Sequence, residues 1–169
     1  MKSSWRLKKG AVICVDNIRL KLCDIQGRLF ERSTDYASEG FIRDFMNSRV
    51  AEHLDSPYNK LQWMGEEYLL EELADEKKLT REGEKYSPEV LYWIGSLYRY
   101  WACSRKEPSK KIYLLAPAKT LKRNYLAFHT FDPEIAIDDL KEISRQKSKN
   151  WNSGACALIL TFIAYIVEL

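Results

Sequence analysis

Apolar residues recur through the middle of the chain with the period of an α-helix. Over Glu39–Leu54, the side chains of Phe41, Ile42, Phe45, Met46, Val50 and Leu54 fall on one broad arc, which predicts an amphipathic helix. Ser56-Pro57 ends it, because proline disfavours helical backbone at the residue before it. A second helix is predicted over Leu61–Glu76, with Glu67, Glu71 and Asp75 on an acidic face and Gly83 in the loop beyond. The third has the clearest start: Ser87 as cap, Pro88 at the first helical position and Glu89 in the first turn, running through Val90 to Trp101. Pro108 sets off a short helix over Lys110–Ala116, and Pro117 opens another through Phe128. Asp132-Pro133-Glu134 repeats the cap–proline–acid start and opens a last helix to Arg145.

The two ends follow other patterns. In residues 11–30, Ala11–Val15, then Asp16-Asn17, then Ile18–Leu22 alternate like two strands about a turn, although a short amphipathic helix also fits. Ala155–Val167 is apolar throughout, and at thirteen residues it is shorter than a membrane span, which needs about 20. Lys141, Arg145, Lys147 and Lys149 precede it, as positive residues do on the cytoplasmic side of a span. A buried helix or strand is the expectation for 155–167, with a tail anchor as the alternative. The whole pattern predicts a mainly α protein, a single domain over 1–169 of five or six helices with a small N-terminal β-hairpin. Its helical core covers 41–145, and the ends 1–40 and 150–169 are unassigned.

Composition adds boundaries. The chain has 169 residues, of which 46% are apolar and 30% charged, so it can bury a core without disulfides or metals. A formal charge of +3 is too small to imply nucleic acid by itself. Cys14, Cys23, Cys103 and Cys156 are widely spaced, with neither a C-x-x-C nor a Cys/His cluster, which reads as free thiols in a reducing compartment. The N-terminus is basic, but Ala11–Val15 is too short for a signal-peptide core and is broken by Asp16. These features predict a cytoplasmic protein.

Two constellations could carry chemistry. On the second helix Leu69, Leu70, Leu73, Trp63 and Ala74 share an apolar arc, and Glu66 falls near its middle. A carboxylate facing a core needs a partner. On the third helix Tyr92 and Arg99 point away from the Val90–Ile94–Leu97–Trp101 arc, nearly in line, with Gly95 beside them. If that second face is covered, Arg99 is the natural partner of Glu66, and Gly95 admits close approach of a backbone or a ligand. The functional reading is a binding pocket of Glu66, Tyr92, Gly95 and Arg99 with His53 nearby; the plainer one is an ion pair that fixes helix packing. His53, inside the arc of its helix, is expected to be a hydrogen-bonded core histidine.

The second constellation is Arg123-Asn124-Tyr125-Leu126-Ala127-Phe128-His129. It resembles the R-x(4–6)-H motif of HEPN ribonucleases, metal-independent all-helical enzymes common in toxin systems. That resemblance implies catalysis by Arg123, Asn124 and His129, with histidine and arginine sharing proton transfer and phosphate stabilisation. Lys110, Lys111, Lys119 and Lys122 could attract an RNA backbone. On the other account His129 and Thr130 shape a turn, and the lysines form a solvated face. No P-loop or G-x-G-x-x-G is present, and Glu67, Glu71 and Glu72 lack the Glu-x-x-His pairing of di-iron bundles. Neither a cofactor nor a metal is expected.

Three strings define the middle of the chain: Phe41-Ile-Arg-Asp-Phe-Met-Asn-Ser-Arg49 running on to Trp63–Leu73, Tyr92-Trp-Ile-Gly-Ser-Leu-Tyr-Arg-Tyr-Trp101, and Asn124-Tyr-Leu-Ala-Phe-His-Thr-Phe-Asp-Pro133. Over about residues 41–140 the chain resembles an uncharacterised family of proteins from Gram-positive bacteria. Members of that family resemble genes found beside toxin–antitoxin-like cassettes. The resemblance implies a non-enzymatic protein-binding component of such a toxin–antitoxin or defence-type cassette. Contact would run through the acidic face of the second helix or the Tyr92–Arg99 face. Nucleic acid enters only under the HEPN alternative, and a membrane only through 155–167.

Overall fold

In the computed structural model, which describes residues 13–56 and 60–149, the chain is helical from its first described residue. The segment read as a hairpin is α1, Ile13–Glu31. Its inward residues are Leu22, Ile25, Gln26, Leu29 and Phe30, spaced by three and four as on one helix face. The alternation that suggested strands came from Ile18 and Leu20, which face outward at 46% and 43% exposure. Helix formation also leaves no sheet edge to cover. Among the described residues there is no strand.

A 3-10 turn, Arg32–Asp35, leads into α2, Ser38–Met46, and then α3, Arg49–Asp55. The single helix expected over Glu39–Leu54 is therefore two. Ser48 makes the break: its hydroxyl donates to the Phe45 carbonyl at 2.7 Å and accepts from the Ala51 amide at 3.1 Å. Glu76 supports the new start by accepting from the Arg49 amide with both carboxylate oxygens, at 3.1 and 2.9 Å. Ser48→Ala removes this cap and is expected to cost about 1–2 kcal/mol. The cost would be read as a lower urea midpoint, and an unchanged midpoint would assign the break to Glu76 alone. Ser56 adopts the extended backbone that a following proline favours.

A second 3-10 turn, Lys60–Trp63, precedes α4, Glu66–Glu76, which starts at Gly65 and not at Leu61. Helix α5, Pro88–Arg105, begins at the predicted Ser87-Pro88 boundary and extends one turn beyond Trp101. Helices α6, Ser109–Leu115, and α7, Ala118–Phe128, follow closely, and α8 covers residues 133–149. Seven α-helices plus α8 exceed the five or six expected, because the end read as a hairpin is helical and one predicted helix is split. The buried apolar side chains form one continuous core that draws on every one of these helices.

The pairing of α1 with α5 organises this core. At Gly95 a Cβ would lie 2.6 Å from the Gln26 carbonyl oxygen and 3.0 Å from the Phe30 ring. At Gly27 a Cβ would collide with the Ser96 hydroxyl and lie 2.8 Å from the Tyr92 ring. Each helix thus presents a glycine to the other, and the backbones approach more closely than side chains permit. The predicted close approach at Gly95 is occupied by α1 backbone. The basic N-terminus, Pro57, Cys156 and the apolar segment 155–167 lie outside the described residues. No described helix is long and apolar enough to cross a membrane.

Candidate functional site

Arg99 is fully buried. Its Nε donates to Gln26 Oε1 at 2.7 Å, its Nη1 to Asp55 Oδ1 at 2.7 Å, and its Nη2 to the Ser109 hydroxyl at 3.5 Å. Asp55 has a second task. Its Oδ2 accepts from the Ser109 amide at 2.7 Å and its Oδ1 from the Ser109 hydroxyl at 2.8 Å. Pro108, at the cap position of α6, offers no side-chain acceptor. Asp55 supplies that acceptor from another helix and places its negative charge at the positive end of α6. One carboxylate therefore neutralises the arginine and caps a helix, joining α1, α3, α5 and α6. Gln26 Nε2 is the one buried side-chain nitrogen without a hydrogen-bond partner among the described residues.

The expected partner of Arg99 was Glu66. Instead Glu66 is half-buried at the first position of α4 and pairs with Arg32 at 3.5 Å. The reason is topological. Helix α1 covers the second face of α5, and α4 packs on α1 and α3. Tyr92 also turns to α1, donating to Asp24 Oδ1 at 2.9 Å, while Ser96 donates to the Cys23 carbonyl at 3.1 Å. Glu66, Tyr92, Gly95 and Arg99 consequently do not line one pocket.

His53 is exposed, not a core residue. The break at Ser48 resets the helical phase, so that Val50, Ala51 and Leu54 turn inward and His53 outward. It lines a cleft of about 250 Å³ with Arg49, Val50, Leu61, Glu72, Asp75 and Glu76. The late start of α4 likewise leaves Trp63 65% exposed and Ala74 at the surface. Leu69 and Leu73 are the fully buried positions of this helix. On its opposite side Tyr68, Glu71, Glu72 and Asp75 are all exposed, at spacings of three, four and seven. Among the described residues, no group of three or more His, Cys, Asp or Glu side chains is placed to hold a metal ion.

The Arg123–His129 segment falls on the last turns of α7. His129 closes the helix: its Nδ1–H donates to the Tyr125 carbonyl at 2.9 Å, and its ring stacks on Tyr125 at 4.8 Å. Tyr125 in turn packs edge-on against Trp93. Asn124 donates to the Thr120 carbonyl one turn back at 2.8 Å. Arg123 is exposed, and at 3.6 residues per turn it stands about 120° around the helix from His129. The three residues share a helix end but do not converge on one point.

The two thiols described, Cys23 and Cys103, are free. Burial, then the neighbouring Cys103, push the Cys23 thiol up to about 12. Burial raises Cys103 as well, against the lowering influence of Arg99. Neither is poised as a nucleophile, because the reactive form is the thiolate. Asp55, Gln26 and Ser109 were not singled out from sequence. Asp55 follows the end of the helix expected over Glu39–Leu54, and Gln26 lies beyond the expected hairpin, in a stretch with no element assigned. Comparison with protein-family models, with curated proteins and with solved structures finds no match.

Proposed function

We propose that this chain is a non-enzymatic, protein-binding component of a bacterial toxin–antitoxin or defence-type cassette, and that it engages its partner through the outer stripe of α4. The observation that carries this reading is the stripe itself. Tyr68, Glu71, Glu72 and Asp75 form an exposed row on a helix with six acids and no base. Exposed Trp63 precedes the helix in the chain. Aromatic side chains serve well as interface anchors, and the acids select a basic partner surface. The Tyr92–Arg99 face, the other candidate, packs against α1, with Arg99 fully buried. The resemblance over residues 41–140 supplies the cassette setting.

The test is co-expression with the products of the flanking genes, followed by size-exclusion chromatography with light scattering. A heteromeric complex is expected, weakened at least about tenfold by the combined Glu71→Lys, Glu72→Lys and Asp75→Lys changes, since like charges across an interface cost several kcal/mol. Free chain alone, with every flanking product present, would sink the proposal.

A HEPN-like ribonuclease remains the second reading, favoured by one observation. Nδ1 is held by Tyr125, and among the described residues Nε2 of His129 has no hydrogen-bond partner and exposed Arg123 makes no ion pair. Growth arrest and RNA loss on expression, both absent in His129→Ala, would decide for it.

A further inference from the structure

Helices α6 and α7 carry Lys110, Lys111, Lys119, Lys122 and Arg123 and no acid. All five cations are exposed. On α7, Lys119, Lys122, Arg123 and Leu126 stand at i, i+3, i+4 and i+7, which is one face of a helix. Leu126 on that face is 82% exposed. Helix α6 repeats the device in short form: Lys110 and Lys111 are followed one turn later by Leu114, 73% exposed. These leucines are the two most exposed large apolar side chains among the described residues. Ile112, Ala118 and Leu121 bury the opposite sides of the two helices. Both helices pack on α2 and α5, so the cationic stripes face away from the core. Lys111 leans on Glu107 at 3.6 Å, and Lys122 lies over the Tyr86 ring at 5.5 Å.

A single exposed leucine needs no explanation. Two of them, each on the cationic face of a helix that itself carries no acid, define a chemistry. A nucleic-acid backbone would satisfy the cations and leave the leucines in water. An anionic bilayer satisfies both, since its headgroups take the charges while the leucines enter the acyl boundary. Lysine and arginine stems lie along the apolar boundary with their charged ends in the headgroup layer. We propose that the outer face of α6 and α7 is a docking surface for an anionic lipid membrane. It uses different helices from the partner surface assigned to α4, so either assignment can fail alone.

The experiment is sedimentation of the full chain with phosphatidylcholine vesicles, with and without phosphatidylserine, at low and high salt. Binding is expected to be about tenfold greater on the serine-containing vesicles and to fall as salt screens the charges. Leu114→Ser with Leu126→Ser should weaken it at least about tenfold, from the lost apolar burial. Lys110→Glu, Lys111→Glu, Lys122→Glu and Arg123→Glu together should abolish the lipid preference. These side chains are exposed, so the helical circular dichroism of both variants should match the wild type. No binding overturns the proposal. So does equal binding to both vesicles, which an apolar segment such as 155–167 would give unaided, or serine-dependent binding that the leucine variant retains in full. A gel shift with single-stranded RNA that needs the cations but not the leucines, without vesicle binding, assigns the face to nucleic acid instead.

Discussion

Asp55→Ala is expected to destabilise the protein by about 3–5 kcal/mol, the cost of leaving a buried charge without its partner. Arg99 cannot escape the loss by giving up its proton, because a guanidinium stays charged under all ordinary conditions. Nor can it swing into water, since it is fully buried and tied to Gln26. The same change strips the Ser109 amide of its acceptor and uncaps α6. Urea unfolding followed by circular dichroism would report the loss as a fall in midpoint at constant slope. Replacing Arg99 by methionine in the Asp55→Ala background removes the stranded charge, and the double variant should be more stable than Asp55→Ala alone. A loss under about 1 kcal/mol for Asp55→Ala would mean that Arg99 has a second anchor of equal strength.

Gly95→Leu should be at least as damaging, for a steric reason. The added Cβ already lies 2.6 Å from the Gln26 carbonyl oxygen, which is backbone and cannot rotate aside. The remaining leucine atoms would have to push α1 off α5, beyond the about 1–3 kcal/mol typical of overpacking. Gly95→Ala isolates the first contact, with a smaller net loss because alanine regains about 1 kcal/mol of helix propensity. Gly40→Ala supplies the control: in α2 the nearest atom to its Cβ is Ala37 Cβ at 4.0 Å. The same exchange should there raise stability by up to about 1 kcal/mol. Equal effects at the two glycines would show that the helix crossing is loose.

Much of the helical middle was legible because caps and prolines mark it locally. Ser87-Pro88 gives the start of α5, and Pro108 and Pro117 bracket α6, as the sequence suggested. What could not be read depends on contacts between distant residues. Ile18 and Leu20 give α1 a misleading two-residue period because nothing in the sequence marks them as outward-facing. Ser48 ends one helix and starts another with the help of Glu76, 28 positions away. The pairing of Arg99 with Glu66 was conditional on the second face of α5 being covered; that face is covered, with close approach at Gly95, but by α1 and not α4. Once that is known, Gln26 and Asp55 become the partners of Arg99, and Glu66 does not. The lysines of α6 and α7 were visible from the start. Their significance came only with the exposure of Leu114 and Leu126, which periodicity alone does not distinguish from core leucines.

The close fit between α1 and α5 also imposes an order on synthesis. Helix α1 ends at Glu31 and α5 begins at Pro88, so the glycine-matched partner of α1 follows much later in the chain. At about 5–20 residues per second, the ribosome takes on the order of several seconds to deliver it. Throughout that interval Leu22, Ile25, Leu29 and Phe30 have no α5 to cover them. The nascent chain therefore carries an uncovered apolar stripe on α1, a natural substrate for chaperones that attend the ribosome exit.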